Sequence, residues 1–178
     1  SGLSCPVGFK NGTDGNLQIV FDAIKSASGA HHFLSVTKEG NSAIFSTSGN
    51  SYCHTILRGG SKKVNYDKKS IDEVSARLDK ANLPQQIVVD CSHANSMKDH
   101  KKQMIVVDDL AKQLSNGEKR IKGLMIESNL VEGNQNINDE NLVYGKSVTD
   151  ACIGWEDTQK VLYTLSEAIE KRKNNAQN

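Results

Sequence analysis

The stretch Ile87–Ser96, IVVDCSHANS, joins an apolar run of strand length to an aspartate and a histidine. Its first residues are β-branched, which favours a strand, and small polar residues then end the run. A strand that is apolar on both faces is typical of a parallel sheet covered by helices. His93 would therefore stand at the tip of a buried strand, where a metal ligand or a catalytic group is firmly positioned. A core histidine with satisfied hydrogen bonds is the alternative.

Strand-like and helix-like segments alternate on both sides of this stretch. The predicted strands are Gly2–Phe9, His32–Thr37, Cys53–Leu57, Gln85–Asp90 and Ile121–Glu127. The predicted helices, with apolar residues at helical spacing, are Leu17–Ala27, Ile71–Ala81, Lys98–Leu114 and Thr158–Lys171. This alternation predicts an α/β fold, a parallel sheet with outer helices, because parallel strands need crossover connections. Gly40–Asn50 is too short for a crossover helix and predicts a small β-hairpin insertion.

Local signals mark the ends of two predicted helices. Ser70 followed by Glu73 predicts a capping box at the start of the second helix. Asn116 and Gly117 predict the end of the third. Residues 171–178 are expected to form a polar tail after the last helix.

The 178 residues suffice for one domain with a hydrophobic core. Five strands cannot close a barrel, so the pattern indicates either an open sheet or the later part of an eight-stranded barrel. Residues 1–178 are expected to form a single domain, and the barrel alternative makes it a partial one.

Composition argues against several classes of function. The net charge of +1 gives no general attraction to nucleic acid or to a membrane surface, so any anion site must be local. No apolar run approaches the ~20 residues of a membrane span, and the first residues do not resemble a signal peptide. The four cysteines form no C-x-x-C pair and are expected to be free thiols in a reducing compartment. The expected location is the cytoplasm.

Charged or metal-binding side chains follow four of the predicted strands, and they are Lys10, Arg58, His93 and Glu127. In α/β barrels this carboxyl end of the strands carries the active site. Arg58 precedes Gly59 and Gly60, which would let the backbone approach an anion, and its guanidinium suits a phosphate or a carboxylate. The alternative for Lys10 is a solvent-exposed charge at the end of a strand. The alternative for Glu127 is a structural ion pair.

His93 and Glu127 offer nitrogen and oxygen ligands on separate strands, a mixture suited to Mn, Fe, Co or Zn. Asp150, within GKSVTDACIGW, is a third candidate ligand, and a cap for the last helix is its alternative. Cations beside a divalent metal would suit a phosphorylated or carboxylated substrate.

Five motifs, spread in order over essentially the whole chain, resemble the type I 3-deoxy-D-arabino-heptulosonate-7-phosphate (DAHP) synthases. They are SCPVGFKNGTDGN (residues 4–16), ILRGG (56–60), DCSHANS (90–96), MIESNLVEGNQ (125–135) and YGKSVTDACIGWEDT (144–158). The resemblance implies a (β/α)8 TIM barrel with a divalent metal, Mn, Fe or Co. It also implies the first step of the shikimate pathway to aromatic amino acids, the aldol-type condensation of phosphoenolpyruvate with erythrose 4-phosphate.

The same resemblance assigns roles to the strand-end residues. His93, Glu127 and Asp150 match metal ligands, while Lys10 and Arg58 match residues that bind phosphoenolpyruvate, Arg58 at its phosphate. Catalytic roles are expected for Lys10, Arg58, His93 and Asp150, with Asp150 as a proton acceptor.

The family barrel has further parts that would precede Ser1: about three strands, a metal-binding cysteine, a Lys-Pro-Arg-Thr-Ser motif and an arginine. The chain alone is therefore expected to be inactive, and to associate with a copy of itself or with the missing N-terminal half. The family is commonly regulated by an aromatic amino acid. That effector site is expected around the hairpin, at Leu3, Phe33, Ser35 and Phe45.

Two other functions stay open from the sequence. A related synthase joins phosphoenolpyruvate to arabinose 5-phosphate on the same type of barrel. The second is a non-catalytic half-barrel that binds an anion or serves as an assembly surface, and it would not need three metal ligands.

Overall fold

The computed structural model describes residues 1–175. Within them lie eight strands, four α-helices and a short 3-10 turn at His100–Lys102. The strands are β1 (Val7–Lys10), β2 (His31–Val36), β3 (Ser42–Thr47), β4 (Cys53–Leu57), β5 (Ile87–Asp90), β6 (Ile121–Met125), β7 (Val131–Asn134) and β8 (Lys146–Ser147). The helices are α1 (Gln18–Ser28), α2 (Lys68–Lys80), α3 (Gln103–Ser115) and α4 (Trp155–Asn175).

Four strands form the main sheet, all parallel, in the order β1-β4-β5-β6. A helix lies in each connection between neighbours, α1 before β4, α2 before β5 and α3 before β6. A parallel bridge between Ser128 and Ile153 continues the pairing beyond the end of β6. The α/β class with a parallel sheet is confirmed, and the sheet formed by residues 1–175 is open.

The hairpin insertion is present, but it contains the segment predicted as the second strand of the main sheet. β2 pairs antiparallel with β3 and places Phe33 opposite Phe45, with ring centroids 6.0 Å apart. Residues 37–41 connect the two strands, too short a segment to return in the parallel direction. The parallel sheet therefore has four strands, and the expectation of five was wrong.

The two faces of the sheet differ because side chains alternate along a strand. Leu57, Ile87 and Val89 pack with the helices in one core and are fully buried. Burial of each such side chain is worth about 1.5–3 kcal/mol. Ile56 and Val88 stand on the opposite face, outside that core. The charged strand ends thus project from a layer that helices support on one side.

The start of α2 differs from the prediction. Asp67 caps this helix: its Oδ1 accepts from the Ser70 N–H at 3.0 Å and its Oδ2 from the Ser70 hydroxyl at 2.7 Å. Ser70 already lies inside the helix, so the predicted capping box of Ser70 and Glu73 was wrong. Aspartate serves as well as serine at this position, which makes the two signals hard to separate in sequence.

Other boundaries differ for identifiable reasons. The left-handed backbone of Met97 and Lys98, with φ of 54° and 60°, prevents a helix from starting at Lys98. The predicted end of α3 at Asn116 and Gly117 is confirmed. β1 starts only at Val7, because the preceding proline has no N–H for a ladder.

The last helix is longer than predicted. α4 extends at both ends of the predicted segment Thr158–Lys171, and residues 171–175 of the predicted polar tail are helical. Residues 176–178 lie outside the described part of the chain. In the described residues, no helix is both long and apolar enough to cross a membrane. All four cysteines are free.

Glu118 forms a buried ion pair at the amino end of β6, and the pair should make stability depend on pH. Its Oε1 accepts from Arg120 Nε at 2.8 Å, and its side chain is 4% exposed. Hydrogen bonds from Arg120 lower the pKa of Glu118, although burial raises it. A lowered folded-state pKa stabilises above the ordinary glutamate pKa of about 4.3, and this contribution disappears as pH falls through the folded pKa.

Glu118→Gln is therefore expected to lower the free energy of unfolding at pH 7 by about 1–3 kcal/mol. The difference from wild type should shrink below the pH at which free glutamate is half protonated. Urea unfolding at pH 7 and pH 3 measures both. Equal differences at the two pH values would show that the carboxylate charge of Glu118 does not contribute.

Candidate active site

The carboxyl ends of the main-sheet strands bring the predicted site residues to one edge. Lys10 ends β1, Arg58 directly follows β4, and His93 and Glu127 lie just beyond β5 and β6. A cavity of about 320 Å³ opens at this edge. It is lined by Arg58, Ser92, His93, Lys98, His100, Glu127, Asp150 and Ala151.

His93, Glu127 and Asp150 converge in this cavity. One potential ligand atom from each lies within 4.8 Å of the other two, and His93 Nε2 is 3.7 Å from Glu127 Oε1. The donor set of one imidazole and two carboxylates suits Mn, Fe or Co. His93 Nδ1 is buried and has no aligned hydrogen-bond partner among the described residues. These residues fit a divalent cation, which Nε2 and the two carboxylates would bind.

The turn after β5 fixes the position of His93. His93 has a left-handed backbone, φ 52°, a conformation that residues other than glycine adopt uncommonly. Its carbonyl accepts from the Lys98 N–H at 2.7 Å, which closes the turn. Strained backbone of this kind recurs at functional sites.

Buried polar contacts orient Glu127. The Gln103 side chain accepts from the Glu127 N–H at 2.9 Å and donates to the Glu127 carbonyl at 3.1 Å. Gln103 is fully buried at the start of α3. The Ser92 hydroxyl donates to Glu127 Oε2 at 2.7 Å, and Oε1 lies on the side of His93. Backbone and carboxylate are thus both held before any ligand arrives.

Asp150 is exposed and lies between β8 and α4. A hydrogen bond from Asn134 Nδ2 to the Thr149 carbonyl, 2.9 Å, fixes the preceding residue. Since α4 begins only at Trp155, Asp150 does not cap it, and the alternative interpretation as a helix cap was wrong.

Lys10 lies beside the cavity and contacts Asp90. Its Nζ is 2.7 Å from Asp90 Oδ2, and its side chain is 34% exposed. The alternative of a simple solvated charge at a strand end does not describe Lys10, because its ammonium is paired with a buried carboxylate. Enough of the side chain remains accessible for an anionic ligand.

Gly59 and Gly60 have a different role from the one predicted. Their N–H groups donate to Asn65 Oδ1 at 2.7 Å and to the Lys63 carbonyl at 2.9 Å, so neither is left for an anion. Gly59 has φ 73°, and a Cβ there would come within 2.7 Å of the Asn95 nitrogen. The glycines permit close packing of loops, and anion binding at this strand end would fall to the Arg58 side chain.

Three buried asparagines that the sequence analysis did not single out hold this loop together. Asn11 accepts from the Arg58 N–H at 2.9 Å, and Asn65 donates its own N–H to Asn95 at 2.9 Å. Asn95 Nδ2 donates to the Leu57 carbonyl at 3.2 Å and to the Asp90 carbonyl at 2.8 Å. Together they tie the ends of β4 and β5, which carry Arg58 and His93.

The cysteines nearest the site are protonated thiols at neutral pH. Burial raises the pKa of Cys91 to about 12, with a smaller effect from Asp90. Burial also raises the pKa of Cys152, as do the charges of Glu127 and Asp150. Neither thiol belongs to the convergent group of possible ligands in the described residues, which comprises His93, Glu127 and Asp150.

The residues predicted for an effector lie on or near the hairpin. Phe33 and Phe45 stack across it, and Ser35 pairs with Ala43 further along. Leu3 is exposed and lines a separate cavity of about 350 Å³, formed by residues 1–4 and 46–52. The structure brings the two phenylalanines together and places Leu3 at a neighbouring surface.

Sequence reasoning missed the residues that support the site. Asp90 lies three positions before His93, and this spacing at the end of a strand could have indicated that the two side chains are close. Gln103 gave no signal, because a polar residue at a helix start is usually exposed. Lys98 and His100 line the cavity, and His100 Nε2 lies 2.9 Å from Glu132 Oε1.

Comparisons with known proteins identify the family of the chain. Residues 1–163 match the model of the DAHP synthetase I family. The chain is 58% identical over 174 residues to the Phe-sensitive phospho-2-dehydro-3-deoxyheptonate aldolase of Escherichia coli, covering 97% of this chain and 49% of that protein. It is 50% identical to the phenylalanine-inhibited enzyme of Saccharomyces cerevisiae, again covering 97% of this chain and 49% of that protein.

A solved structure of a phospho-2-dehydro-3-deoxyheptonate aldolase has a similar fold. The phospho-2-dehydro-3-deoxyheptonate aldolase of Francisella tularensis superposes with a TM-score of 0.91 at 50% identity. The match covers 96% of this chain and 50% of that one, so the chain spans about half the length of the relatives it matches. With a family match over residues 1–163 and these identities, the chain belongs to the DAHP synthetase I family.

Proposed function

We propose that this chain supplies the metal-binding part and one phosphoenolpyruvate-binding side of a DAHP synthase active site. The whole site would condense phosphoenolpyruvate with erythrose 4-phosphate and release phosphate, the first step toward aromatic amino acids, in the cytoplasm. The observation that carries the proposal is the convergence of His93, Glu127 and Asp150 beside Arg58, in a chain of this family. A purely structural assembly module would have no need of three convergent ligands.

The chain's own residues support this chemistry in distinct ways. A divalent cation, when bound, would act as a Lewis acid toward the aldehyde oxygen of the sugar phosphate. Arg58 would bind the phosphate of phosphoenolpyruvate with its planar fork of donors, and Lys10 would add a second cation. Asp150 would accept a proton as water adds to the carbon bearing phosphate.

We also propose that the open sheet is part of a (β/α)8 barrel, completed by a segment equivalent to the other half of the relatives. The face opposite the helices carries the half-buried Val88 and the 37% exposed Met125, and this apolar surface needs cover in a stable assembly. β1 and β6 also offer strand edges. The chain alone is then expected to be inactive and to associate, with a copy of itself or with that segment. Gel filtration with light scattering tests this, and a monomer that exposes no apolar surface contradicts it.

The hairpin surface is our proposed effector region, at Leu3, Phe33, Ser35 and Phe45. The curated relatives include Phe-sensitive, tyrosine-inhibited and Trp-sensitive enzymes. Phe45 of the stacked pair and Ser46 of the cavity lining are neighbours on β3, and the aromatic surface of the hairpin suits contact with an aromatic ring.

Calorimetric titration of phosphoenolpyruvate into the chain with Mn²⁺ tests the proposed site. Arg58→Ala is expected to weaken binding by about 10–100-fold, since hydrogen bonds to charged groups are worth ~1.5–3 kcal/mol. Arg77→Ala is the matched control, because Arg77 stacks over the Phe21 ring at 4.8 Å, away from the cavity. Equal losses in both variants would refute a specific role for Arg58. Parallel titrations with arabinose 5-phosphate and with erythrose 4-phosphate show which sugar phosphate binds, and this distinguishes the two synthase reactions.

A further inference from the structure

Asp90 lies between the two parts of the proposed site. Its Oδ2 is 2.7 Å from Lys10 Nζ and 2.9 Å from His93 Nδ1, so one oxygen faces both groups. Its Oδ1 accepts from the Ser92 N–H at 3.0 Å. The Asp90 side chain is only 1% exposed, and a carboxylate buried so deeply needs partners of this kind.

The orientation of the His93 ring determines what the contact between Asp90 and Nδ1 does. Nε2 faces Glu127, whereas the buried Nδ1 faces Asp90 without an aligned hydrogen bond. A metal on Nε2 requires its lone pair, so the ring proton must be on Nδ1. The acceptor within reach of that proton is Asp90 Oδ2. A carboxylate behind a metal-binding histidine fixes the tautomer and increases ligand basicity.

A buried carboxylate can also serve folding alone, and Glu118 shows the difference. Glu118 is buried to a similar degree and paired with Arg120, but it lies at the amino end of the sheet. Asp90 is instead paired with a candidate substrate-binding lysine and a candidate metal ligand. The position of Asp90 therefore links metal binding through His93 to substrate binding through Lys10, whereas Glu118 contacts neither residue.

We propose that Asp90 is a positioning residue that fixes the Nδ1–H tautomer of His93 and anchors Lys10 through the same oxygen. This inference rests on the proposed function, because it takes His93 as a metal ligand and Lys10 as a substrate ligand. Loss of the Asp90 charge then weakens metal binding and phosphoenolpyruvate binding together, although Asp90 touches neither ligand.

The test compares Asp90→Asn with Glu118→Gln in the 178-residue chain. Mn²⁺ affinity is followed by the electron paramagnetic resonance signal of free Mn²⁺, and phosphoenolpyruvate affinity by calorimetry. Asp90→Asn is expected to weaken Mn²⁺ binding by about 10–100-fold, the usual effect of removing a partner behind a metal ligand. Phosphoenolpyruvate binding should weaken as well, whereas Glu118→Gln should lower stability and leave both affinities unchanged.

A readout without metal separates this inference from the proposed function. Nitrogen-detected NMR of the His93 ring should show Nδ1–H in wild type and Glu118→Gln, and a mixture of tautomers in Asp90→Asn. If wild type binds no Mn²⁺ even when mixed with a polypeptide equivalent to the other half of a relative, the proposed function fails, while the tautomer measurement still decides the role of Asp90. Wild-type tautomer and affinity in Asp90→Asn would overturn the inference. Should that variant not fold, Asp90→Glu, which displaces the carboxylate by one methylene, is judged by the same criteria.

Discussion

Replacing His93 with alanine is expected to abolish measurable Mn²⁺ binding by the chain. His93 supplies the nitrogen ligand of a triad whose atoms lie within 4.8 Å of one another. A complete four-ligand site binds zinc with roughly 10–16 kcal/mol, so each ligand is worth several kcal/mol. We expect the Mn²⁺ affinity to fall by about 100-fold or more, as measured by the resonance of free Mn²⁺ during titration.

His32→Ala is the matched control for His93→Ala. His32 is an exposed histidine of the hairpin, with Nδ1 2.8 Å from Ser46 Oγ, and it lies outside the cavity lining. Its loss removes an imidazole without touching the triad, so Mn²⁺ affinity should not change. Wild-type Mn²⁺ affinity in His93→Ala would show that the metal site is elsewhere or absent.

Asp150→Asn is expected to reduce turnover severely once the site is complete. The change keeps an oxygen that can contact a metal but removes the carboxylate that would accept a proton. General base catalysis contributes about 10²–10⁴-fold to rate, and a loss of that size is expected. Turnover is measured as phosphate release by the chain mixed with a polypeptide that spans the other half of a relative. Mn²⁺ affinity should fall far less than turnover.

Asp157→Asn controls for the loss of a nearby negative charge. Asp157 lies in the first turn of α4, and its Oδ1 is 2.8 Å from Lys160 Nζ. This variant should retain wild-type turnover. Unchanged turnover in Asp150→Asn would exclude Asp150 as the proton acceptor.

The strand-end residues were predictable because each depends on a local pattern. The apolar run Ile87–Asp90 is a strand in the structure, and His93 follows it as the pattern predicts. Glu127 follows β6 in the same way. Parallel strands then place these side chains at one edge without further information. Asp150 was a weaker candidate from the residues alone, because no predicted strand directly precedes it, and the resemblance strengthened its assignment.

Features that depend on which groups pair in the folded chain were not predictable. β2 has the composition of a sheet strand, and only its short connection to β3 decides its antiparallel partner. Gly59 and Gly60 were interpreted as an anion loop, but Asn65 and Lys63 occupy their N–H groups. The support of Glu127 by Gln103 joins residues 24 positions apart, and no periodicity encodes such a bond.

The most direct test of the account is the formation of DAHP by the chain before and after addition of a polypeptide equivalent to the other half of a relative. Product and phosphate are followed with Mn²⁺, phosphoenolpyruvate and erythrose 4-phosphate present. The account predicts no turnover by the chain alone and steady turnover by the stable mixture, lost in His93→Ala. A stable mixture that binds both halves and remains inactive, or turnover by a strictly monomeric sample of the chain, would contradict it.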